Sequence, residues 1–111
     1  MNFYGLKTCN TCRKAQKELR AAGIDFDVID MRTDGVSTGI LRTWSEQIEW
    51  EKLLNTRSTT WRNLSDEEKA DINLEKAITL MAKYSTLIKR PVIEKDGKIS
   101  VGWPSPLVSR E

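Results

Sequence analysis

The chain has 111 residues, 39% hydrophobic and 31% charged, a length that suits one compact domain with a core needing neither disulfide nor metal staples. It has two cysteines and no histidine, which excludes Ser-His-Asp and Cys-His nucleophiles, histidine-ligated metals, and a zinc site completed by this chain alone. Eighteen Lys and Arg against sixteen Asp and Glu leave a net charge of +2 with no long basic block, so no direct nucleic-acid footprint is expected.

In chain order, the segment MNFYGLKTCN lacks a positive stretch followed by a long apolar run, and no segment reaches the apolar length of a membrane span. A cytoplasmic protein without membrane contact is expected, and in that reducing compartment a close cysteine pair reads as reactive rather than as a staple. Phe3-Tyr4-Gly5 ends a first strand, and Thr8 to Thr11 supply caps for a helix starting near Cys9. Cys12, Ala15, Leu19 and Ala22 recur every three or four residues, and Gly23 stops the helix. Ile24, Phe26 and Val28 then alternate with Asp25 and Asp27, predicting a strand with one face on the core. Together these elements form a parallel βαβ unit.

Thr33 to Gly39 reads as a loop, followed by a helix whose apolar face is Ile40, Leu41, Trp44 and Ile48, extended by Trp50, Leu53 and Leu54. Ser65 and Glu68 form a capping box that predicts a short helix through SDEEKADI, and Leu74, Ala77, Ile78, Met81 and Tyr84 outline another. Val92 to Lys95 and Lys98 to Val101 flank Asp96-Gly97, the preferred pair of a type I′ hairpin. Pro106-Leu107-Val108 starts a brief terminal helix. The expected fold is α/β and thioredoxin-like: a four-stranded mixed sheet of βαβ plus ββ, forming a single domain over 1–111. A helical insertion occupies about 37–88 within that domain.

The chemistry centres on Cys9-Asn10-Thr11-Cys12. Three residues of helix bring the pair into disulfide range, and the helix N-terminus favours a thiolate at Cys9. Lys7 and Arg13 lie close in sequence. Cys9 suits nucleophilic attack on a disulfide, and Cys12, on the core face, suits resolution of the mixed disulfide. Read separately, Cys12 is also an ordinary small buried hydrophobe, but a C-x-x-C beside a βαβ pattern is among the more specific cysteine signals.

The segments KTCNTCRKA, LLNTRSTTWR and IKRPV resemble the arsenate reductase (ArsC), Spx and YffB family over nearly the whole chain, most of all its YffB-like branch, with a C-x-x-C like that of Spx. The resemblance implies a thioredoxin-like fold, Cys9 as nucleophile, and Arg13, Arg57 and Arg90 as residues that bind an anionic substrate. It also implies that Pro91 is a cis-proline, which would hold the backbone before the hairpin against the Cys9 loop, where it could pair with an extended thiol peptide such as glutathione. Arg57 and Arg90 would form with Cys9 a cationic pocket walled by Trp61 and Trp103.

The implied function is a thiol–disulfide oxidoreductase with glutathione as co-substrate and no bound cofactor, acting on glutathione or on protein thiols and disulfides, with Cys12 or glutathione resolving. The alternative is an Spx-like redox-sensing regulator that binds the RNA polymerase α subunit. Against it, Glu49 stands where Spx presents a glycine to polymerase. A true arsenate reductase ranks below both, because Asn55 and Trp103 occupy positions where such enzymes carry oxyanion-binding arginines.

Overall fold

The computed structural model describes residues 1–108. In chain order it contains β1 (Asn2–Gly5), α1 (Asn10–Ala21), β2 (Asp27–Asp30), α2 (Met31–Asp34), α3 (Thr38–Gln47), α4 (Trp50–Leu53), α5 (Thr59–Arg62), α6 (Asp66–Lys69) and α7 (Leu74–Lys83). A 3-10 turn (Ser85–Leu87), β3 (Val92–Lys95) and β4 (Lys98–Val101) complete it. The chain divides into a sheet unit, Met1–Asp34 with Arg90–Glu111, and a helical unit, Gly35–Lys89.

In the sheet unit the strands lie in the order β2-β1-β3-β4. β1 and β2 are parallel, while β3 is antiparallel to both β1 and β4. This is the mixed, thioredoxin-like sheet anticipated from the βαβ and hairpin patterns. Phe3 of β1 stands opposite Ile93 of β3, and both join Cys12, Ala15 and Leu19 of α1 and Val108 in one buried cluster. The apolar stripe read from the sequence is therefore the face by which α1 covers β1 and β3. Its end is also as read: Gly23 has φ +73°, its N–H reaches the Arg20 carbonyl and the Ile24 N–H reaches that of Leu19, a Schellman closure.

The second strand departs from the expected register. Regular pairing begins only at Asp27, and Val28 is 49% exposed, whereas Ile24 and Phe26 lean on the core from the lead-in segment. β2 is an edge strand, and the helix that covers β1 and β3 leaves its flank open to solvent. Thr33 and Asp34 are not loop: Asp30 Oδ1 accepts the N–H groups of Arg32 and Thr33 at 2.9 and 3.1 Å and caps the single turn of α2. Asp96 and Gly97 both take positive φ, as a type I′ hairpin requires. Residues 105–108 form a turn, with the Val108 N–H on the Ser105 carbonyl at 3.3 Å, rather than a helix start; the rest of the expected terminal helix, 109–111, lies outside the described residues.

The helical unit is more broken than its apolar pattern suggested. Ser37 caps α3, so Thr38 and Gly39 are helical, and α3 packs on α7 through buried Leu41, Trp44, Ala77, Ile78 and Met81. Ile40 and Leu74, placed on those apolar faces by spacing, are exposed at its edge. Arg42 of α3 grips Glu75 of α7 with two bonds of 2.6 and 2.9 Å. The Ser65 and Glu68 capping box forms as read, but α6 stops at Lys69, and beyond the C-cap residue Ala70 comes Asp71 with φ +51°. The unit closes through an isolated antiparallel bridge between Leu54 and Ile88.

Candidate active site

Cys9 is the N-cap residue of α1, with extended backbone (φ −88°, ψ 117°), and its own N–H bonds to the Leu6 carbonyl at 3.2 Å. The half-buried Cys9 sulfur faces the Cys12 N–H of the first turn, where a cap oxygen usually sits. Burial alone would raise its pKa. That effect is outweighed by the Cys12 N–H, the Cys12 thiol and the Arg90 guanidinium, all within electrostatic reach of the sulfur, and the net shift is downward. Cys9 is thus the sulfur disposed to be a thiolate.

Cys12 is its opposite. The thiol is fully buried in the cluster with Phe3, Ala15, Leu19 and Ile93. Burial raises its pKa, the Leu6 backbone N–H works the other way, and the neighbouring Cys9 sulfur adds to the rise, which reaches about 12. Both cysteines are free thiols. A neutral Cys12 thiol donates toward the Cys9 sulfur, so the same contact that favours charge on one opposes it on the other.

This asymmetry carries a stability prediction. Cys12 stays neutral in the native state up to about 12, whereas an unfolded thiol ionises near 9. Between those values the unfolded chain binds fewer protons than the folded one, so stability falls as pH rises through that window. Chemical denaturation at pH 8 and 10.5 is expected to show a larger loss for wild type than for Cys12→Ala. Equal losses would remove Cys12 as a source of the alkaline sensitivity.

The remaining site residues of the sheet unit are placed by the loop and strand ends. The Arg90-Pro91 peptide is cis, Arg90 is half-buried and Pro91 buried, and the Pro91 carbonyl is held by the Gly102 N–H at 2.8 Å. Arg13 donates from Nε to the Lys7 carbonyl at 2.9 Å, which ties the first turn of α1 to the loop before Cys9. Trp103 packs against the same cluster as Cys9, and its indole N–H bonds to the Glu18 carboxylate.

Arg57 and Trp61 belong to the helical unit. Arg57 is exposed in a turn where Asn55 Oδ1 accepts its N–H at 3.1 Å, and Lys69 lies 5.7 Å over the half-buried Trp61 ring. Of the residues singled out in the sequence, Cys9, Cys12, Arg13, Arg90 and Pro91 belong to the sheet unit and Arg57 to the helical unit.

Sequence reading missed Gly5. A Cβ built there would come within 2.9 Å of both Cys12 Sγ and Phe3 Cε1. Only glycine lets the end of β1 touch the buried cysteine so closely. The signal was present in Phe3-Tyr4-Gly5, where a glycine ends a buried strand just before the cysteine loop. Among the described residues no group of three or more His, Cys, Asp and Glu is placed to hold a metal ion, and no helix is long and apolar enough to cross a membrane.

Comparison with known proteins gives the same fold. The chain is 41% identical over 103 residues to an uncharacterized protein of Haemophilus influenzae, covering 93% of this chain and 90% of that one. It is 28% identical over 98 residues to the global transcriptional regulator Spx of Streptococcus pyogenes, covering 86% and 72%. The solved structure of a YffB protein superposes with a TM-score of 0.89 at 37% identity, covering 92% of this chain and 90% of that one. Residues 4–109 match the model of the ArsC family, and the chain belongs to that family.

Proposed function

We propose that the protein is a thiol–disulfide oxidoreductase in which Cys9 is the nucleophile and glutathione the co-substrate. The observation that carries this reading is the Cys9 sulfur at the N-terminus of α1, biased toward thiolate by the Cys12 N–H and thiol and by Arg90. The Cys9 thiolate attacks one sulfur of a disulfide. A Cys9–substrate disulfide forms, and the departing thiolate takes up a proton. A second thiolate, from Cys12 or from glutathione, then attacks the mixed disulfide. Cys12 attack on the Cys9 sulfur leaves a Cys9–Cys12 disulfide that two electrons from external thiols must reduce; glutathione attack on the partner's sulfur expels the Cys9 thiolate and leaves a glutathione–partner disulfide.

Burial and the raised pKa favour the glutathione route, because Cys12 is rarely ionised and has little room to move. The cis Arg90-Pro91 backbone is suited to pair with an extended peptide, Arg90 to its carboxylate, and Arg13 to holding the Cys9 loop. Arg57 is assigned an anion-binding role on the strength of the NTRS resemblance.

Mass spectrometry after mild oxidation tests the route. With glutathione present, a single glutathione adduct on Cys9 is expected; without it, slow formation of the Cys9–Cys12 disulfide. No change at Cys9 under either condition would overturn the proposal.

An Spx-like regulatory role, in which the chain binds the RNA polymerase α subunit, draws on the Spx relative and the C-x-x-C. Glu49, exposed at the start of α4, argues against it, because its charged side chain obstructs a close backbone approach. Pull-down with the α C-terminal domain, reduced and oxidised, separates the readings: no retention in either state is expected of the enzyme.

A further inference from the structure

A cleft of about 540 Å³ opens in the sheet unit outside the Cys9 cluster, lined by Lys7, Arg13, Gln16, Arg20, Asp30 and Asp34 among others. The cleft includes Gly5 and Asp30, the last residues of the parallel strands β1 and β2, and extends alongside β2 to Val28 and to Arg20 near the end of α1. Its size is that of a small-molecule site.

The two walls carry opposite charge. Arg13, Gln16 and Arg20 succeed one another at spacings of three and four along a single face of α1, spanning about 10 Å. Both arginines are held in advance: Arg13 by the Lys7 carbonyl, and Arg20 by Gln16 Oε1 at 3.3 Å and by stacking 5.5 Å over the Phe26 ring. The facing wall, from the end of β2 and α2, presents Asp30 and Asp34. The Thr33 N–H holds the Asp30 carboxyl below its ordinary pKa, with smaller contributions from the Arg32 N–H and from Lys7 and Arg32. Among the described residues no ion pair joins Lys7, Arg13 or Arg20 to Asp30 or Asp34.

Opposite charges held apart across a ligand-sized space suit an occupant that bears both signs. A phosphate would face two carboxylates, and a simple cation would face three positive side chains. A carboxylate on the guanidinium wall with an ammonium on the aspartate wall satisfies both. We propose that this cleft binds the zwitterionic amino-acid end of a small thiol peptide. The peptide source rests on the thiol-transfer reading. Lys7 lies two residues before Cys9, and the Leu6 carbonyl accepts the Cys9 N–H, so the occupant sits beside the loop that carries the nucleophile.

The test is an amide NMR titration of the Cys9→Ser protein with S-methylglutathione, which has the zwitterionic end and no reactive thiol. Saturable shifts at Lys7, Arg20 and Asp34 are expected. Arg20→Gln and Asp34→Asn should each weaken binding about fivefold, the scale of one exposed charge contact. The N-acetylated probe, which lacks the ammonium, should bind wild type as weakly as S-methylglutathione binds Asp34→Asn. Shifts confined to other surfaces, or equal affinity in all variants, would overturn the proposal. Neither probe nor protein can undergo thiol exchange at position 9, so binding is read apart from chemistry: absence of transfer activity in the wild-type protein, with binding intact, would overturn the enzymatic reading and leave the cleft assignment standing.

Discussion

Replacing Cys9 by serine is expected to abolish disulfide exchange, with residual activity at least a thousandfold below wild type, because a serine hydroxyl is not ionised near neutral pH and is a far weaker nucleophile toward sulfur. The fold should survive the change, since Cys9 is only half-buried and its backbone N–H, not its side chain, makes the bond to Leu6. Cys12→Ser has a different signature. It removes the internal resolving thiol, so glutathione-driven turnover should continue while the glutathione-free reaction stops at a trapped Cys9 mixed disulfide. Coupled glutathione-disulfide turnover and intact-mass spectra read both outcomes. A Cys9→Ser protein as active as wild type would remove Cys9 from the mechanism.

The second large effect is predicted for Gly5→Ala. The new methyl would stand 2.9 Å from Cys12 Sγ and from Phe3 Cε1, and both side chains are fully buried, so neither can step aside without moving the core. Overpacking of this kind costs about 1–3 kcal/mol, or roughly 4–12 °C in Tm for a domain of this size. Displacing Cys12 also displaces a thiol that faces Cys9, so the Cys9 pKa should rise along with the loss of stability. The Gly5→Ala, Cys12→Ala double variant should recover part of the Tm, because the sulfur is gone while Phe3 still blocks the methyl. A Gly5→Ala protein with unchanged Tm would show that β1 and α1 are packed more loosely than this contact implies.

How much of the fold was legible in the sequence depends on how local each cause is. The stop at Gly23, the hairpin at Asp96-Gly97 and the Ser65–Glu68 box depend on groups within a few residues of one another, and all three form as read. Ile24, Phe26 and Val28 alternate as a half-buried strand would, yet pairing starts only at Asp27, because which of them meets the core depends on where α1 lies across the sheet. With β2 at the edge, that helix stops short of Val28. The single turn of α2 depends on one carboxylate, Asp30, accepting two backbone N–H groups, a pattern that MRTD alone does not announce.

The candidate site divides in the same way. Cys9 and Cys12 were found from spacing, because a helix N-terminus and one turn fix their relation locally. Arg90 and Pro91 lie some eighty residues further along the chain, and only the family resemblance linked them to Cys9; the sheet unit does bring Arg90 to that sulfur. Gly5 and the charged cleft were invisible, since each depends on the distance between β1, β2 and α1, which no periodicity encodes.

The start of α1, the Cys12 thiol and Arg90 together bias Cys9 toward the thiolate, without an imidazole. The most direct test is the pH dependence of Cys9 alkylation by iodoacetamide, monitored by mass, in wild type and in Arg90→Ala. The wild-type midpoint is expected below the ordinary thiol range, with a higher one in Arg90→Ala. A wild-type midpoint at the ordinary thiol value, unmoved by the substitution, would contradict that bias.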